Sequence, residues 1–590
     1  GNQAEEFVRL TNPTALWLDV SNWKLDGAVR FTFKPGTVVP PYAQLYVSPN
    51  QRAFRNRATA PRGGMNLFVT GPYSGQLSAW GETVRLLNPV GWEMASLAYP
   101  GDPSDVQRYL RVTEIMYNPS PAPAITNDAQ QFEYLELRNI STSVTLNLTG
   151  VRFTNGIQFS FTGSAVTSLA PGQHVLLVRN LAAFTARYGA GALIAGEFAG
   201  ALDNAGETLR LEDAVGEKVL EFAYDNKWYP TTDGLGFSLV IVNELAPWNT
   251  WGEKASWRPS SNAEGSPGGA DTAPLAQPPV LITEVLTHTD PPQLDAVELH
   301  NPTATNVNIG GWFLTDDFFA PRKYRLPNPT LIPPGGFVVF DTDQFGVGDT
   351  GFAFSELGEM VFLFSGDAQG NLSGYYHGFD FGEAPNGVSF GRHVDSQGND
   401  HYVLQAFNTL GTNNGPPRVG PVVIAEVMYH PPDLPGGVDD DLNEFIRLVN
   451  ISATNVPLWC LFTNQAGYGA AARTNTWRLR NAVDFDFPTN QSLAAGGQLL
   501  IVGFDPATNA AQVAAFRLTY NLATNIPIYG PWSGKLDNSK ETIELKYPDV
   551  PEVTPTNVII PYVLVDKVTY HDTPPWPMGA DGLGLSLQRR

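Results

Sequence analysis

Val112-Thr113-Glu114-Ile115-Met116-Tyr117-Asn118-Pro119 recurs as Ile282-Thr283-Glu284-Val285-Leu286 and again as Ile424-Ala425-Glu426-Val427-Met428-Tyr429-His430-Pro431. Each copy is followed by a second signature, which reads Glu133-Tyr134-Leu135-Glu136-Leu137-Arg138-Asn139, Asp295-Ala296-Val297-Glu298-Leu299-His300-Asn301 and Glu444-Phe445-Ile446-Arg447-Leu448-Val449-Asn450. The second signature also opens the chain, as Glu6-Phe7-Val8-Arg9-Leu10-Thr11-Asn12. Its apolar residues alternate with polar ones, the period of a strand with one buried face. Recurrence of a strand pair at long intervals makes the chain a repeat array, and this decides the fold before any single motif is weighed.

Further signatures lie outward from this pair. Gly71-Pro72-Tyr73-Ser74-Gly75 runs on to Gly81-Glu82-Thr83-Val84-Arg85-Leu86, is matched by Gly196 to Leu211 and by Gly530 to Leu545, and shortens to Phe354-Ser355-Glu356-Leu357-Gly358-Glu359-Met360-Val361. A Pro/Gly turn feeds an apolar strand at Leu169-Ala170-Pro171-Gly172-Gln173-His174-Val175-Leu176-Leu177-Val178. A closing strand reads Asp233-Gly234-Leu235-Gly236-Phe237-Ser238-Leu239 and Asp581-Gly582-Leu583-Gly584-Leu585-Ser586-Leu587, with a looser Pro385-Asn386-Gly387-Val388-Ser389-Phe390. About seven short strands per unit predict an all-β chain of tandem immunoglobulin-like Greek-key β-sandwiches. The expected modules span 1–108, 109–274, 275–419 and 420–590, with Gly/Pro/polar linkers at Ser260–Gly269 and Gly411–Pro417.

The first module lacks the strand that should precede its second signature. Glu6, Phe7, Val8, Arg9 and Leu10 are therefore a candidate strand-acceptor edge. Either these 590 residues belong to a longer protein that supplies the strand, or a neighbouring molecule supplies it. The closing residues Leu585–Arg590 are needed by their own module, so they are not a spare donor.

Composition narrows the function classes. With 43% apolar residues and only 16% charged, the chain can bury cores, and 57 Gly with 48 Pro spread along it suit many tight turns. A net charge of −22 excludes a basic footprint for nucleic acid or anionic lipid. No apolar run is long enough to insert in a membrane, and Gly1-Asn2-Gln3-Ala4-Glu5-Glu6 is not a signal sequence, so any signal or anchor is expected outside this sequence. A single cysteine, Cys460, permits no internal disulfide.

Together the Thr-Glu-Ile-Met-Tyr-Asn-Pro strand, the Glu-Phe-Ile-Arg-Leu strand, the Ser-Gly-Lys-Leu-Asp-Asn turn and the Asp-Gly-Leu-Gly-Leu-Ser-Leu end resemble the lamin tail domain. This immunoglobulin-like module recurs in tandem in large exported bacterial proteins. The resemblance implies sandwiches used for attachment and assembly, and it carries no catalytic residue onto this chain.

Candidate chemistry is sparse. The eight histidines are scattered and form no metal-ligating or nucleophile-activating spacing, and Cys460, standing where sister modules carry Gly150 and Gly311, reads as a small buried or turn residue and not as a nucleophile. The recurrent Glu114, Glu284 and Glu426 lie inside apolar strands, so each needs a partner: backbone donors, or an arginine such as Arg138 or Arg447. Two acidic groups, Asp439-Asp440-Asp441 with Glu444 and Asp341 with Asp343 and Asp349, are calcium candidates against the default of solvated loops. Trp248, Trp251 and Trp257, found only in the second module, are candidate glycan contacts. Asn139, Asn147, Asn371, Asn450 and Asn490 head glycosylation sequons.

The leading expectation is a non-enzymatic protein of the bacterial surface or exterior, forming a stalk, fibre or scaffold through contacts with its own copies or other surface proteins. The alternative is a polysaccharide-binding accessory region of a larger secreted enzyme.

Overall fold

A computed structural model of the chain describes residues 3–122, 124–126, 128–272, 276–462, 473–553 and 558–590. The chain divides into two compact units, one of residues 1–276 with 371–374, the other of 277–370 with 375–590.

In the second module the strand Leu110–Met116 lies at the middle of a six-stranded sheet ordered Ile194–Glu197, His174–Val178, Tyr134–Asn139, Leu110–Met116, Leu239–Ile241, Trp257–Pro259. A four-stranded sheet of Phe159–Ser160, Arg152–Asn155, Thr208–Glu212 and Lys218–Ala223 faces it. Ile115, Leu135 and Leu137 from the first sheet meet Phe153, Leu209, Leu211 and Phe222 from the second, forming the core that the period of two foretells. The fourth module repeats the plan. Val422–Met428 runs between Phe445–Asn450 and Leu587–Gln588, so the Asp-Gly-Leu-Gly segment returns the chain to pair beside its first strand. The third module does the same with Leu281–Leu286 between Ala296–His300 and Phe390–Val394.

The acid of the first signature marks a β-bulge. Pairing shifts register between Val112 and Glu114, between Ile282 and Glu284, and between Ile424 and Glu426. An extra residue there turns Thr113 and Thr283 toward the neighbouring strand, where each hydroxyl donates to a buried glutamate, Glu136 at 2.8 Å and Glu298 at 2.6 Å.

The asparagine that ends the second signature is a structural lock in all four modules. The Asn139 side-chain amide donates to the Val144 and Leu169 carbonyls, and that of Asn450 to the Thr454, Leu493 and Ala494 carbonyls. Asn12 and Asn301 make the corresponding bonds to Leu16, Val39 and Pro40, and to Thr305, Ile332 and Pro333. One side chain thereby satisfies carbonyls where the strand turns over the top of the sandwich, which is why a buried amide is tolerated at each copy.

The first module departs from this plan. Its first sheet has three strands, Val8–Thr11, Gln44–Val47 and Phe68–Thr70, and Val8–Thr11 is the edge. The places held elsewhere by the first strand and by the closing strand are both unfilled among the described residues, so this sandwich is two strands short where the sequence pattern shows one.

Candidate functional site

The open edge leaves a groove of about 620 Å³ between the two sheets of the first module. Val8, Leu10, Leu25, Val84, Leu86 and Leu97 line it, the last 67% exposed on the strand Glu93–Tyr99. Along Val8–Thr11 only one side pairs, with Gln44–Val47, so the other side presents backbone donors and acceptors beside an apolar trough. The sequence-predicted edge residues Val8, Arg9 and Leu10 lie on this strand, and Phe7 lines the groove beside it. Glu6 does something else. Its carboxylate accepts from the Leu77 backbone at 3.0 Å and from the Tyr73 hydroxyl at 3.2 Å, pinning the Gly71–Leu77 loop.

That pin recurs. Leu202 N–H donates to Glu133 at 2.9 Å and Leu536 N–H donates to Glu444 at 3.1 Å. Burial pushes Glu133 up to about 7 and Glu444 up to about 8, each held back by its backbone bond. Glu444 is thus a loop anchor, and it stands apart from the cation chemistry expected of the 439–444 cluster. Asp439 pairs with Lys535 at 2.9 Å, and Asp440 accepts from Asn443 at 2.6 Å. Lys535 also lies 3.8 Å from Asp441. In the third module Asp341 closes the short helix Thr342–Phe345 with Gln344, and no three-ligand group forms from Asp341, Asp343 and Asp349 among the described residues.

The acids within the strands are consumed by hydrogen bonds from their own module. Glu114 accepts from the Tyr134 hydroxyl at 2.6 Å, the Ser238 hydroxyl at 2.5 Å and the Ser266 backbone at 2.9 Å. Burial first, and then the charge of Glu136, push Glu114 upward. Glu284 accepts from Ser389 at 2.7 Å and from the Thr409 backbone and hydroxyl at 2.9 and 2.6 Å. The neighbouring Glu136 and Glu298 take backbone N–H bonds from Gly268 and Gly411 at 2.7 and 2.6 Å. Ser266-x-Gly268, inside the linker read at Ser260–Gly269, and Thr409-x-Gly411, which runs into the linker read at Gly411–Pro417, therefore fold back and cap the glutamate pair of the sandwich they leave. The fourth module solves the same problem with an ion pair. Arg447 replaces the second glutamate and lies 2.7 Å from Glu426, while Ala425 replaces the threonine that would have served a glutamate. Of the two arginines expected to pair with strand acids, Arg447 does so and Arg138 pairs instead with Glu244 at 2.6 Å.

Three sequence-based expectations are corrected. Trp251 and Trp257 are not sugar platforms: both are fully buried, with Trp251 Nε1–H donating to the Val112 carbonyl at 3.1 Å and Trp257 Nε1–H to the Trp251 carbonyl at 2.7 Å. With both indole donors satisfied, the rings can serve as core, and Trp257 stacks on Phe222. Trp248 packs beside them with Lys218 over its ring at 5.0 Å and Trp80 at 6.2 Å, so its faces are occupied as well. The sequons at Asn139 and Asn450 are not acceptors in the folded chain, because both side chains are wholly buried and bonded. Cys460 is neither turn nor core residue but lies half-buried on the strand Trp459–Phe462, where burial, and then Asp549, push its thiol up and disfavour the nucleophilic thiolate.

Sequence reasoning missed two histidine groups. His288, Glu356 and Glu552 bring ligating atoms within 4.8 Å of one another, as do His430, Asp433 and Asp439. The repetition of His after the first strand, at His288 and His430, was the available signal.

A tandem array of immunoglobulin-like sandwiches with self-satisfied buried acids is the class that fold and site define. The Lamin Tail Domain family matches residues 103–226 and 273–376, so the chain carries lamin tail domains in tandem over those stretches. No curated protein matches the chain. A solved structure of a DUF4876 family protein from Bacteroides thetaiotaomicron is 11% identical, over 50% of this chain and 78% of that one, with a TM-score of 0.16. Among the described residues no helix is long and apolar enough to cross a membrane.

Proposed function

We propose that this is a non-enzymatic structural protein of the cell surface or exterior, whose four sandwiches, 1–108, 109–274, 275–419 and 420–590, form a scaffold, stalk or fibre. The observation that carries this reading is the recurrence of one sandwich plan in the second, third and fourth modules. Whatever supplies it, the strand that completes the open edge of the first module is an extended segment with the alternating apolar pattern of Leu110–Met116. In the second module that pattern places Val112 opposite Leu137 and Ile115 opposite Leu135, whose counterparts here are Leu10 and Val8. The absence of catalysis is supported by the strand acids, whose oxygens are engaged by structural donors. The alternative, an accessory region that binds polysaccharide, loses its aromatic platform with the burial of Trp251 and Trp257.

Electron microscopy of the protein isolated from its source tests the proposal. Ordered filaments are expected, and a foreign strand beside Val8–Thr11 within them would mark strand exchange between copies. Separate rods with that edge bare, or filled from the same polypeptide, would overturn it.

A further inference from the structure

We propose that His288, Glu356 and Glu552 bind a divalent transition metal ion of the zinc type, tying the first-strand end of the third module to the hairpin Glu552–Val553 and Val558–Ile559. All three belong to the same compact unit. His288 Nδ1 lies 2.8 Å from the Ala384 carbonyl oxygen. A carbonyl only accepts, so Nδ1 carries the proton and the lone pair resides on Nε2. That nitrogen lies 3.7 Å from Glu356 Oε2, and the nearest oxygen of Glu552 completes a group in which the ligating atoms are all within 4.8 Å. Donors held about 2.0–2.1 Å from a tetrahedral zinc lie roughly 3.3–3.5 Å apart, so small rotations of two glutamates close the site. An imidazole held by a backbone carbonyl through its far nitrogen is the usual arrangement of a metal-binding histidine.

The charge balance points the same way. Two carboxylates meet here, and among the described residues neither has a lysine or arginine within 4 Å.

The fourth module shows the contrasting solution at the same place in the fold. His430 and His288 both follow the first strand, and the backbone carbonyl of each accepts from a glycine of the closing turn, Gly582 at 3.1 Å and Gly387 at 2.8 Å. Around His430, however, Asp581 occupies Nδ1 at 2.6 Å, and Asp439 is already held by the Lys535 ammonium at 2.9 Å. The cation is built into the fourth module. In the third it must come from solution, and an imidazole nitrogen with two carboxylates selects zinc-like ions over calcium.

Titration calorimetry of the metal-stripped full chain with zinc chloride at neutral pH tests this, with the visible absorption of the cobalt(II) form reporting nitrogen and oxygen ligation. One tight zinc is expected, weakened at least tenfold by His288→Gln and by Glu552→Gln and unchanged by His430→Gln. Thermal melting without metal checks that each variant folds, and Glu552→Gln, at the hairpin, keeps the test open if His288→Gln does not. Zinc binding that survives both substitutions, that is lost in His430→Gln instead, or that calcium competes away at equal concentration would overturn the assignment.

Discussion

The first and second modules carry the same second-signature strand and bury it differently. Leu135 and Leu137 are wholly buried, while their counterparts Val8 and Leu10 are half-buried, and Leu211 is buried where Leu86 is half-exposed. The residues are equally apolar, and the difference lies in the neighbours. Leu110–Met116 and Leu239–Ile241 cover the second module on a side where no strand of the first lies among the described residues. Alternation along a strand therefore tells which face points inward. Whether that face is covered depends on strands far away in sequence.

The contrast can be sharpened by substitution. Leu137→Ala removes a fully buried side chain from a closed core and is expected to cost about 2–5 kcal/mol, whereas Leu10→Ala at the open groove should cost below about 1.5 kcal/mol. Denaturant unfolding followed by local hydrogen exchange reads both, and equal losses would break the comparison. Next in size, Glu136→Ala strips the acceptor from Thr113 and Gly268 and should destabilise by about 1–3 kcal/mol. Arg9, which stands at the equivalent place in the first module, has no such network to lose, and Arg9→Ala should change little.

A pH effect of smaller size separates the anchoring acids. The carboxyl of Glu444 titrates near 4.5 when unfolded and about 8 when folded, so the folded form binds more protons between those values. Stability from this group is full below about 4.5 and is lost as pH rises through 8. Glu444→Gln keeps the bond from Leu536 and should raise the melting temperature by a few degrees at pH 9 but not at pH 4. Glu6, at the same position of the open module, is raised as well, by burial above all. It should show the same trend more weakly, and a larger gain for Glu6→Gln than for Glu444→Gln would contradict the account. The smallest effect concerns glycosylation. Expressed in a glycosylating host, Asn147, which is exposed, should be modified and Asn139 and Asn450 should not, as peptide mass spectrometry would show.

Much of the fold was legible because repeats expose strand boundaries. Four copies of one strand and three of its partner defined the sheets, and the lone Cys460 left packing as the only staple. The buried acids were legible as needing partners, and Arg447 was named correctly. Their actual donors were not, because Ser266, Gly268, Thr409 and Gly411 sit more than a hundred residues from the glutamates they cap and look like linker composition. The tryptophans misled for a related reason. A cluster unique to one module reads as a binding feature, yet Trp251 and Trp257 fill a core whose carbonyls they also satisfy. The four asparagines could have been read, since the same residue ends the second signature each time, and a glycosylation motif overlapping two of them obscured a structural role. The His288 group draws on residues 288, 356 and 552, a spacing that no local motif records.

The most direct test of the open edge is amide hydrogen exchange on Val8–Thr11, with and without a synthetic peptide of the sequence Leu110–Pro119. The account predicts fast exchange at alternate amides in the free chain, slowed at least tenfold by the peptide, while Tyr134–Asn139 is protected throughout. Protection of every Val8–Thr11 amide in the free chain, or no change on adding the peptide, would contradict it.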